Sequence, residues 1–468
     1  MGEHRTIHFV SLGCAKNRVD TEVMLGVSDQ SGFQIVEDPA DAEVIVVNTC
    51  GFIGPAKEES VETILEMGTH KESGSCKKLV VAGCLSQRYP EELAGEMPEV
   101  DHFLGSSDML KLRKVLGGAP ERMLVGNPAE YTMRADDPRV LSGQTHRAYL
   151  KIAEGCNRSC SFCAIPSFRG KQRSRSVADV VREAERLADA GVVELNLISQ
   201  DTIAYGRDLA QRESLAELLA ALGEVEGIRW VRAHYLYPEK LSDALVEVLS
   251  QHEKVLPYID MPLQHASDSM LRAMRRGHGG ERMYKVIERL RGAIADLVFR
   301  TTFIVGHPGE TDADFTELRK LVEWAEFDHV GVFLYSPEDG TRSGEMADSV
   351  PPELALARRD ELMSVQRPLS RERLELRVGT ELDVLVEGVS DESDLLLQGR
   401  WWGQAPEVDG SVYLANGTAS AGEMRRVLVT DAADYDLMAD FIDGPGGRDA
   451  PPDAKDPRPP KVKLRTLS

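Results

Sequence analysis

The chain has no run of eighteen or more apolar residues, which is about the length that a membrane-spanning helix requires. Its first six residues are mostly polar and lack the apolar stretch of a secretory signal. Cysteine is also scarce, with seven in 468 residues, and an odd number without a secretion signal does not fit a disulfide framework. We therefore expect a cytoplasmic protein with reduced thiols and no membrane association.

Basic residues are outnumbered as well. Lys and Arg number 55 against 77 Asp and Glu, which gives a formal net charge of −22. Such a charge repels polyanions, because nucleic-acid binding rests on cations that neutralise phosphates. It favours a basic partner, although an acidic surface can also serve solubility alone.

Six of the seven cysteines form two sets of three. Cys156, Cys160 and Cys163 lie within eight residues, directly after a predicted strand at 148–153. Three thiolates on one loop can hold three corners of a [4Fe-4S] cluster and leave the fourth iron open. A zinc site and inert buried thiols are alternatives, but no second Cys or His pair follows at the spacing that zinc sites favour.

The other set is spread along the first hundred residues. Alternating strands and helices predict an open parallel sheet there, with strands at 6–12, 43–48 and 79–82. Cys14, Cys50 and Cys84 follow these strands, and the carboxyl ends of parallel strands meet at one edge of a sheet. We therefore expect a second cluster, although a cysteine here can also be a small buried hydrophobe. Cys76 lies in a polar stretch and is predicted to have no role.

The length and the pattern of the chain predict an α/β protein of three domains. We expect an open parallel α/β domain at 5–120, a linker at 121–141, a partial or complete TIM-like (β/α) barrel at 142–373, a small antiparallel β-barrel at 376–443 and a disordered tail at 444–468. In a parallel barrel the chemistry lies at the carboxyl ends of the strands. Those ends carry Gln200, Asp201, Gln264, His265, Gly306, Gly309 and Glu310, each a ligand contact or, alternatively, a helix cap or loop hydrogen bond.

The residues from 148 to 176, with their C-x-x-x-C-x-x-C spacing, resemble the cluster loop of the radical S-adenosylmethionine (SAM) enzymes. The sequences SLGCAKN, NTCGFI and AGCLSQRY around Cys14, Cys50 and Cys84 resemble the amino-terminal domain of the methylthiotransferases. The chain is most similar to the branch of that family that adds a methylthio group to the β-carbon of an aspartate in protein twelve of the small ribosomal subunit. A tRNA adenosine methylthiotransferase and a non-enzymatic iron–sulfur scaffold or sensor are the alternatives.

The resemblance implies a sulfurtransferase with two [4Fe-4S] clusters. Cys156, Cys160 and Cys163 would hold the cluster that cleaves SAM, and Cys14, Cys50 and Cys84 the auxiliary cluster. The implied SAM contacts are Phe162, Gln200, Asp201, Gln264, Gly306, Gly309 and Glu310, and His307 stands where the family has an aromatic residue. A low-potential electron donor such as flavodoxin or ferredoxin is also implied.

Two further segments bear on the partner. The basic run at 168–175 is either a solvated face or a carboxylate-binding loop for substrate or SAM. Residues 376–443 resemble a TRAM domain, a module usually associated with RNA. Between Glu375 and Asp443, however, fifteen Asp or Glu stand against four Arg and no Lys. This surplus favours a basic ribosomal protein over tRNA as the partner.

Overall fold

The computed structural model describes residues 5–442 and 463–465. The tail predicted to be disordered lies outside these residues, except for Lys463–Arg465, which form a short strand. No helix in the described part of the chain is long and apolar enough to cross a membrane.

The amino-terminal domain is a parallel sheet covered by helices. Its strands are β1 (Arg5–Leu12), β2 (Phe33–Ile35), β3 (Val44–Thr49), β4 (Lys78–Gly83), β5 (His102–Leu104) and β6 (Met123–Leu124). Its helices are α1 (Ala15–Gln30), α2 (Gly54–Gly68), α3 (His70–Ser73), α4 (Cys84–Arg88), α5 (Pro90–Glu96) and α6 (Leu112–Leu116). The order across the sheet is β2-β1-β3-β4-β5-β6. All six residues of β3 are buried, as expected where helices cover both faces.

The segment predicted as a linker is packed rather than free. Its residues Met123–Leu124 pair with β5 and belong to the sheet. Met133 is buried with 3% exposure, and Arg139 forms ion pairs with Glu22 of α1 and with Glu183 of the following domain. The connection therefore fixes the two domains against each other.

The central domain has eight strands, six of which are parallel and form two sheets of three, while the other two form a separate antiparallel pair. In chain order its strands are β7 (Arg147–Lys151), β8 (Ala153–Glu154), β9 (Arg173–Ser174), β10 (Glu194–Ile198), β11 (Trp230–Ala233), β12 (Tyr258–Asp260), β13 (Val298–Val305) and β14 (His329–Leu334). The sheets β7-β10-β11 and β12-β13-β14 are joined by a bridge between Val231 and Val255. Because β7 and β14 do not pair with each other in the part that the structure describes, the barrel is partial. The antiparallel pair β8 and β9 lies apart from these sheets and had no counterpart in the sequence analysis.

Helices surround these strands. They are α7 (Ile165–Arg169), α8 (Val177–Asp189), α9 (Leu215–Gly223), α10 (Asp243–Gln251), α11 (Asp268–Ala273), α12 (Gly280–Ala293), α13 (Asp312–Ala325) and α14 (Pro352–Glu375). The largest hydrophobic cluster of the protein lies between them and the strands.

The last domain is a closed barrel of five strands, in the order β15-β16-β17-β19-β18. They are β15 (Glu381–Val389), β16 (Leu397–Trp401), β17 (Val412–Ala415), β18 (Met424–Ala432) and β19 (Leu437–Phe441). All pairs are antiparallel except β17 with β19. Apolar runs in the sequence predict four of these strands, at 381–389, 395–401, 411–414 and 424–430, but not β19.

This small barrel docks at the amino ends of the central strands. The first residues of β11, β12 and β13, which are Trp230, Tyr258 and Val298, belong to the same hydrophobic cluster as Trp401. Glu194, the first residue of β10, pairs with Arg400 at 2.6 Å. The amino-terminal domain and the cysteine loop lie at the opposite, carboxyl ends of the central strands.

Candidate active site

The loop of Cys156, Cys160 and Cys163 is held at its base by the β8–β9 pair. The backbone N–H of Cys156 donates to the carbonyl of Gly170 at 3.0 Å. Gly155 has a φ of 79°, and a Cβ there would lie 2.3 Å from the carbonyl oxygen of Lys171. Only glycine fits this position, so the local sequence sets where the loop begins.

The loop sulfurs lie among protein donors. The backbone N–H of Arg158 donates to the Cys156 sulfur at 3.4 Å, and Nη1 of Arg276 donates to the Cys160 sulfur at 3.4 Å. Burial raises the pKa of Cys156 to about 11 and that of Cys163 to about 12. Thiolates are the metal ligands, so binding of a cluster would release protons from these thiols.

The structure also brings together the loops of Cys14, Cys50 and Cys84. A Cβ on Gly13 would lie 3.0 Å from the Cys50 sulfur, and one on Gly51 would lie 2.8 Å from the carbonyl carbon of Cys84. Glycines beside the cysteines therefore allow three distant segments to meet at the edge of the sheet. Cys76 lies elsewhere, buried in the core between sheet and helices, and not in the polar surroundings that its sequence neighbours indicated.

The surroundings shift the pKa values of these three thiols in different directions. Burial raises the pKa of Cys50 and raises that of Cys84 to about 11, although Arg169 lowers the latter in part. Cys14 is exposed, whereas Cys50 and Cys84 are buried. Desolvation raises the pKa of Cys14, but Lys16 and Arg169 outweigh this effect and leave the pKa below its ordinary value.

Arg169 connects the two domains at this point. It lies at the end of α7, and its Nη2 and Nε donate to the Cys84 sulfur at 3.0 and 3.2 Å. Nη2 also donates to Asn17 Oδ1 at 2.8 Å. The basic run at 168–175 is therefore neither a solvated face nor a free carboxylate site at this position, since Arg169 is buried with 2% exposure.

A chain of buried polar groups continues from Arg169 towards the strand ends. Its Nη1 donates to Asp20 at 2.8 Å and to Glu154 at 3.2 Å. Lys151 bonds the same two carboxylates, and Gln200 Nε2 donates to Glu154 at 2.8 Å. The surroundings of the two cysteine sets are thus linked by continuous hydrogen bonds.

Residues expected to contact SAM line this region with unpaired acceptors. Gln200 Oε1, Asp201 Oδ1, Gln264 Oε1 and the nearby Gln172 Oε1 are buried and have no hydrogen-bond partner among the described residues. Buried polar atoms are normally satisfied, so these acceptors fit a ligand with N–H or O–H donors, such as the amino group of SAM. Phe162 lies half-buried on the cysteine loop.

Asp201 is not a helix cap, since its side chain makes no cap hydrogen bond. It accepts instead from Arg158 Nε at 2.6 Å. Together with Arg158, Gln172 and Lys240 it lines a cavity of about 310 Å³ beside the cysteine loop. This cavity offers both cationic and acceptor groups close to Cys156.

The segment from Gly306 to Glu310 has a structural role in the described contacts. Glu310 accepts from the N–H groups of Gly306 and His307 and from Arg358 Nη1. A Cβ on Gly306 would lie 2.6 Å from Ala355 Cβ, so packing against α14 explains this glycine. Gly309 has a φ of 82°, which also favours glycine.

His307 supports the cysteine loop through hydrogen bonds. Its ring Nε2 lies 2.8 Å from Ser343 Oγ, and that hydroxyl donates to Ser161 Oγ at 2.8 Å. His265 is fully buried, and its Nδ1 accepts from the N–H groups of Ala266 and Ser267. Ser343 and Ser161 are both distant in sequence from His307, so the sequence alone could not assign this supporting role to it.

Within the described ranges, no three His, Cys, Asp or Glu side chains are grouped closely enough to hold a single metal ion. A [4Fe-4S] cluster distributes its cysteine ligands over separate irons.

Comparisons with known families match all three domains. Residues 6–105 match an uncharacterized protein family, UPF0004; residues 150–322 match the radical SAM superfamily; and residues 378–442 match the TRAM domain. A solved structure of the radical SAM methyltransferase TsrM from Kitasatospora setae, with cobalamin and a [4Fe-4S] cluster bound, is similar in fold. Its TM-score is 0.52 at 14% identity, and the match covers 73% of this chain and 77% of that one.

Curated relatives are similar over nearly the whole chain. The ribosomal protein uS12 methylthiotransferase RimO of Sorangium cellulosum is 62% identical, over 94% of this chain and 91% of that protein. RimO of Myxococcus xanthus is 48% identical over 99% and 97%. At this identity and coverage, with a cysteine set at the mouth of each of two domains, the chain belongs to the RimO family of radical SAM methylthiotransferases.

Proposed function

We propose that this protein replaces a hydrogen on the β-carbon of an aspartate in ribosomal protein uS12 with a methylthio group. The observation that carries the proposal is the joining of the two cysteine sets: Arg169 of the radical SAM domain donates to Cys84 of the other domain. A transfer reaction requires its two reactive centres to share one enclosed space. The identity of the substrate is inferred from the relatives, whose names state that they act on uS12.

Each set of residues has a distinct part. Cys156, Cys160 and Cys163 would hold the [4Fe-4S] cluster to which SAM binds, and Cys14, Cys50 and Cys84 the second. These cofactors would supply radical cleavage of a C–H bond and the sulfur, chemistry that side chains cannot perform.

The protein itself orients the reactants. Gln200, Asp201 and Gln264 offer buried acceptors to the donor groups of SAM. Arg169, Glu154 and Lys151 form a fixed array of charges between the domains. Such an array needs little reorganisation during the reaction.

The small barrel would bind the basic ribosomal protein, but with fewer free charges than its composition suggests. Glu387 and Glu407 pair with Arg147, and Asp409 pairs with Arg300. These carboxylates are used within the chain. The exposed acids that remain include a loop of Asp391, Glu392 and Asp394, beside Leu395, which is 92% exposed.

This loop combines negative charge with an apolar side chain. It suits a basic protein surface and disfavours the phosphates of tRNA. We propose further that the enzyme works in the cytoplasm and receives electrons from a low-potential donor such as flavodoxin or ferredoxin.

The test is anaerobic. The protein is reconstituted with iron and sulfide, then incubated with SAM, dithionite and recombinant uS12, and the intact uS12 and its peptides are weighed. A mass gain equal to one methylthio group on an aspartate is expected. If 5′-deoxyadenosine forms while uS12 stays unchanged, the substrate assignment is wrong and tRNA is tested next.

Cysteine variants separate the two clusters. Cys84→Ser should retain 5′-deoxyadenosine formation but lose the modified product, whereas Cys160→Ser should lose both. Cys76→Ser is the matched control, because Cys76 is a buried cysteine of the same domain outside both sets. If Cys84→Ser forms product at the rate of the control, the proposed role of the second set is wrong.

A further inference from the structure

We propose that Lys16 binds the carboxylate of the substrate aspartate and thereby places its β-carbon between the two clusters. This inference rests on the function proposed above. It assigns a specificity residue to a position where the sequence analysis named none.

Lys16 lies between the two domains. It is the second residue of α1, two positions after Cys14, and its side chain is buried with 9% exposure. Its Nζ lies 3.6 Å from the centroid of the Tyr235 ring. Tyr235 follows β11 at the carboxyl edge of the central strands, so the ammonium lies at the mouth of the partial barrel and beside the second cysteine set.

In the ranges 5–442 and 463–465, the Lys16 ammonium donates no hydrogen bond and pairs with no carboxylate. Its strongest attraction to a charged group of these residues is to the Cys14 thiolate, which holds the auxiliary cluster in the function proposed above. Two other buried cations of this region are paired with carboxylates: Lys151 with Glu154, and Arg169 with Asp20. Buried charges are normally paired, and Lys16 lacks such a carboxylate.

The carboxylates nearby are engaged elsewhere. Glu154 bonds Lys151, Arg169 and Gln200. Asp260 lies 3.2 Å from Nδ1 of His234 and from Nη1 of Arg300, and it accepts the backbone N–H of Tyr235. No carboxylate of the described residues therefore completes the Lys16 site, which leaves its ammonium open to the carboxylate of a bound molecule.

A substrate carboxylate fits this position by chemistry. The reacting β-carbon of aspartate is bonded directly to its carboxyl carbon, so fixing one fixes the other. The amino end of α1, a helix of sixteen residues with no acidic residue in its first turn, adds a favourable field for an anion. SAM also carries a carboxylate, but Lys16 adjoins Cys14 of the second set rather than the loop of Cys156.

The test compares holoenzyme variants with both clusters reconstituted. Binding of labelled uS12, and of uS12 with the target aspartate changed to Asn, is measured by fluorescence anisotropy. Lys16→Met is expected to weaken binding of uS12 by about tenfold to a hundredfold, the range for one hydrogen bond between charged groups. It should not weaken binding of the Asn form further, and Lys16→Arg should restore part of the affinity.

Lys57→Met is the matched control. Lys57 also crosses the domain boundary and lies near a tyrosine ring, but it is paired with Glu338 at 2.8 Å. Its replacement should leave uS12 binding unchanged. Iron content and melting temperature are measured for every variant, so that the affinities compared are those of folded holoenzymes.

Each other outcome overturns the inference. Lys16→Met could weaken binding of both forms of uS12 equally, or could lower only the iron content and the melting temperature. Either result would show that Lys16 has a structural role, through its contact with the Tyr235 ring, and does not bind the aspartate carboxylate. A higher KM for SAM with slower 5′-deoxyadenosine formation would assign Lys16 to the SAM carboxylate. Failure of the wild type to modify uS12 would instead reject the proposed function, independently of these comparisons.

Discussion

The guanidinium of Arg169 donates two hydrogen bonds to the sulfur of Cys84, at 3.0 and 3.2 Å, although the two residues belong to different domains. Hydrogen bonds to ligand sulfurs are among the factors that set the reduction potential of an iron–sulfur cluster. In the proposed function, the radical SAM domain would therefore contribute to the reduction potential of a cluster held by Cys14, Cys50 and Cys84 of the neighbouring domain.

Changing Arg169 should affect the second cluster alone. In a chain whose Cys156, Cys160 and Cys163 are replaced by Ala, Arg169→Gln should lower the reduction potential in an EPR titration and weaken cluster retention by about 10- to 100-fold, the usual cost of losing an outer partner. The positive charge and both N–H donors are lost together.

Arg276→Gln provides the reciprocal control, because Arg276 donates to Cys160. In a chain whose Cys14, Cys50 and Cys84 are replaced by Ala, Arg276→Gln should lower the reduction potential of the cluster on Cys156, Cys160 and Cys163. If Arg169→Gln leaves the potential unchanged, the hydrogen bonds to Cys84 have no electronic role.

The buried pair of Glu194 and Arg400 holds the small barrel to the central domain. Both side chains are at most 2% exposed, and their closest atoms lie 2.6 Å apart. Arg400→Met should lower the free energy of unfolding by about 3 kcal/mol, because it removes the nearest cation from the buried Glu194 carboxylate and leaves the longer contact with Arg232 at 3.4 Å. Urea titration followed by tryptophan fluorescence measures this.

The triple variant Glu194→Leu, Arg232→Met and Arg400→Met should recover most of that loss, since Arg232 is the second cation on Glu194 and all three buried charges are then removed together. A triple variant as unstable as the single one would show that the loss comes from packing around Trp401 instead.

His265 should make the protein sensitive to acid. Burial lowers its pKa to about 3, whereas the unfolded chain has a value of about 6.5. Between these values the unfolded state binds more protons, so stability is lost as the pH falls from 6.5 towards 3. At pH 5 the cost from this residue is about 2 kcal/mol.

The measurement compares urea midpoints at pH 7 and pH 5 for the wild type and for His265→Asn. The amide oxygen of Asn can still accept the N–H groups of the following turn, but it does not titrate. The pH dependence of the variant should therefore be smaller. An equal dependence in both proteins would assign the acid sensitivity to other groups, such as His146, whose pKa burial lowers to about 4.

Neutralising the exposed acidic loop should weaken uS12 binding. Asp391→Asn, Glu392→Gln and Asp394→Asn together should lower the association rate by roughly tenfold at low salt and flatten its salt dependence, because rim charges act mainly on encounter. Stopped-flow binding at two salt concentrations measures both effects.

The control neutralises three other exposed acids, Glu91, Glu92 and Glu96 of α5. This variant has the same change in net charge on a different domain. If it slows binding as much as the loop variant, net charge rather than the loop accounts for the attraction.

The sequence placed Cys14, Cys50 and Cys84 at strand ends because β1, β3 and β4 are apolar runs, each with a Gly or Thr directly before the cysteine. Their convergence follows from parallel topology alone. The role of Arg169 does not, since its partner Cys84 is 85 residues distant and belongs to another domain. No local pattern predicts which way a short helix such as α7 directs its last side chain.

Other errors have similar causes. Strand β19 was missed because it follows an acidic stretch, Asp431–Asp436, that is typical of a loop. The charge count of the small barrel could not reveal that Glu387 and Asp409 are paired with arginines of the central domain, because pairing depends on which surfaces dock.

The small barrel docks at the amino ends of the central strands, whereas the cysteines lie at their carboxyl ends. The proposed binding surface for the ribosomal protein is therefore separate from the reaction site. Strand β13 spans eight residues, so the two ends of the central sheet lie on the order of 25 Å apart. A ribosomal protein held by the acidic loop must extend a second segment around the domain to reach the cysteines. Binding is then bivalent, and the first contact raises the effective concentration of the second. Intact uS12 should consequently be modified more efficiently than a short peptide with the same aspartate.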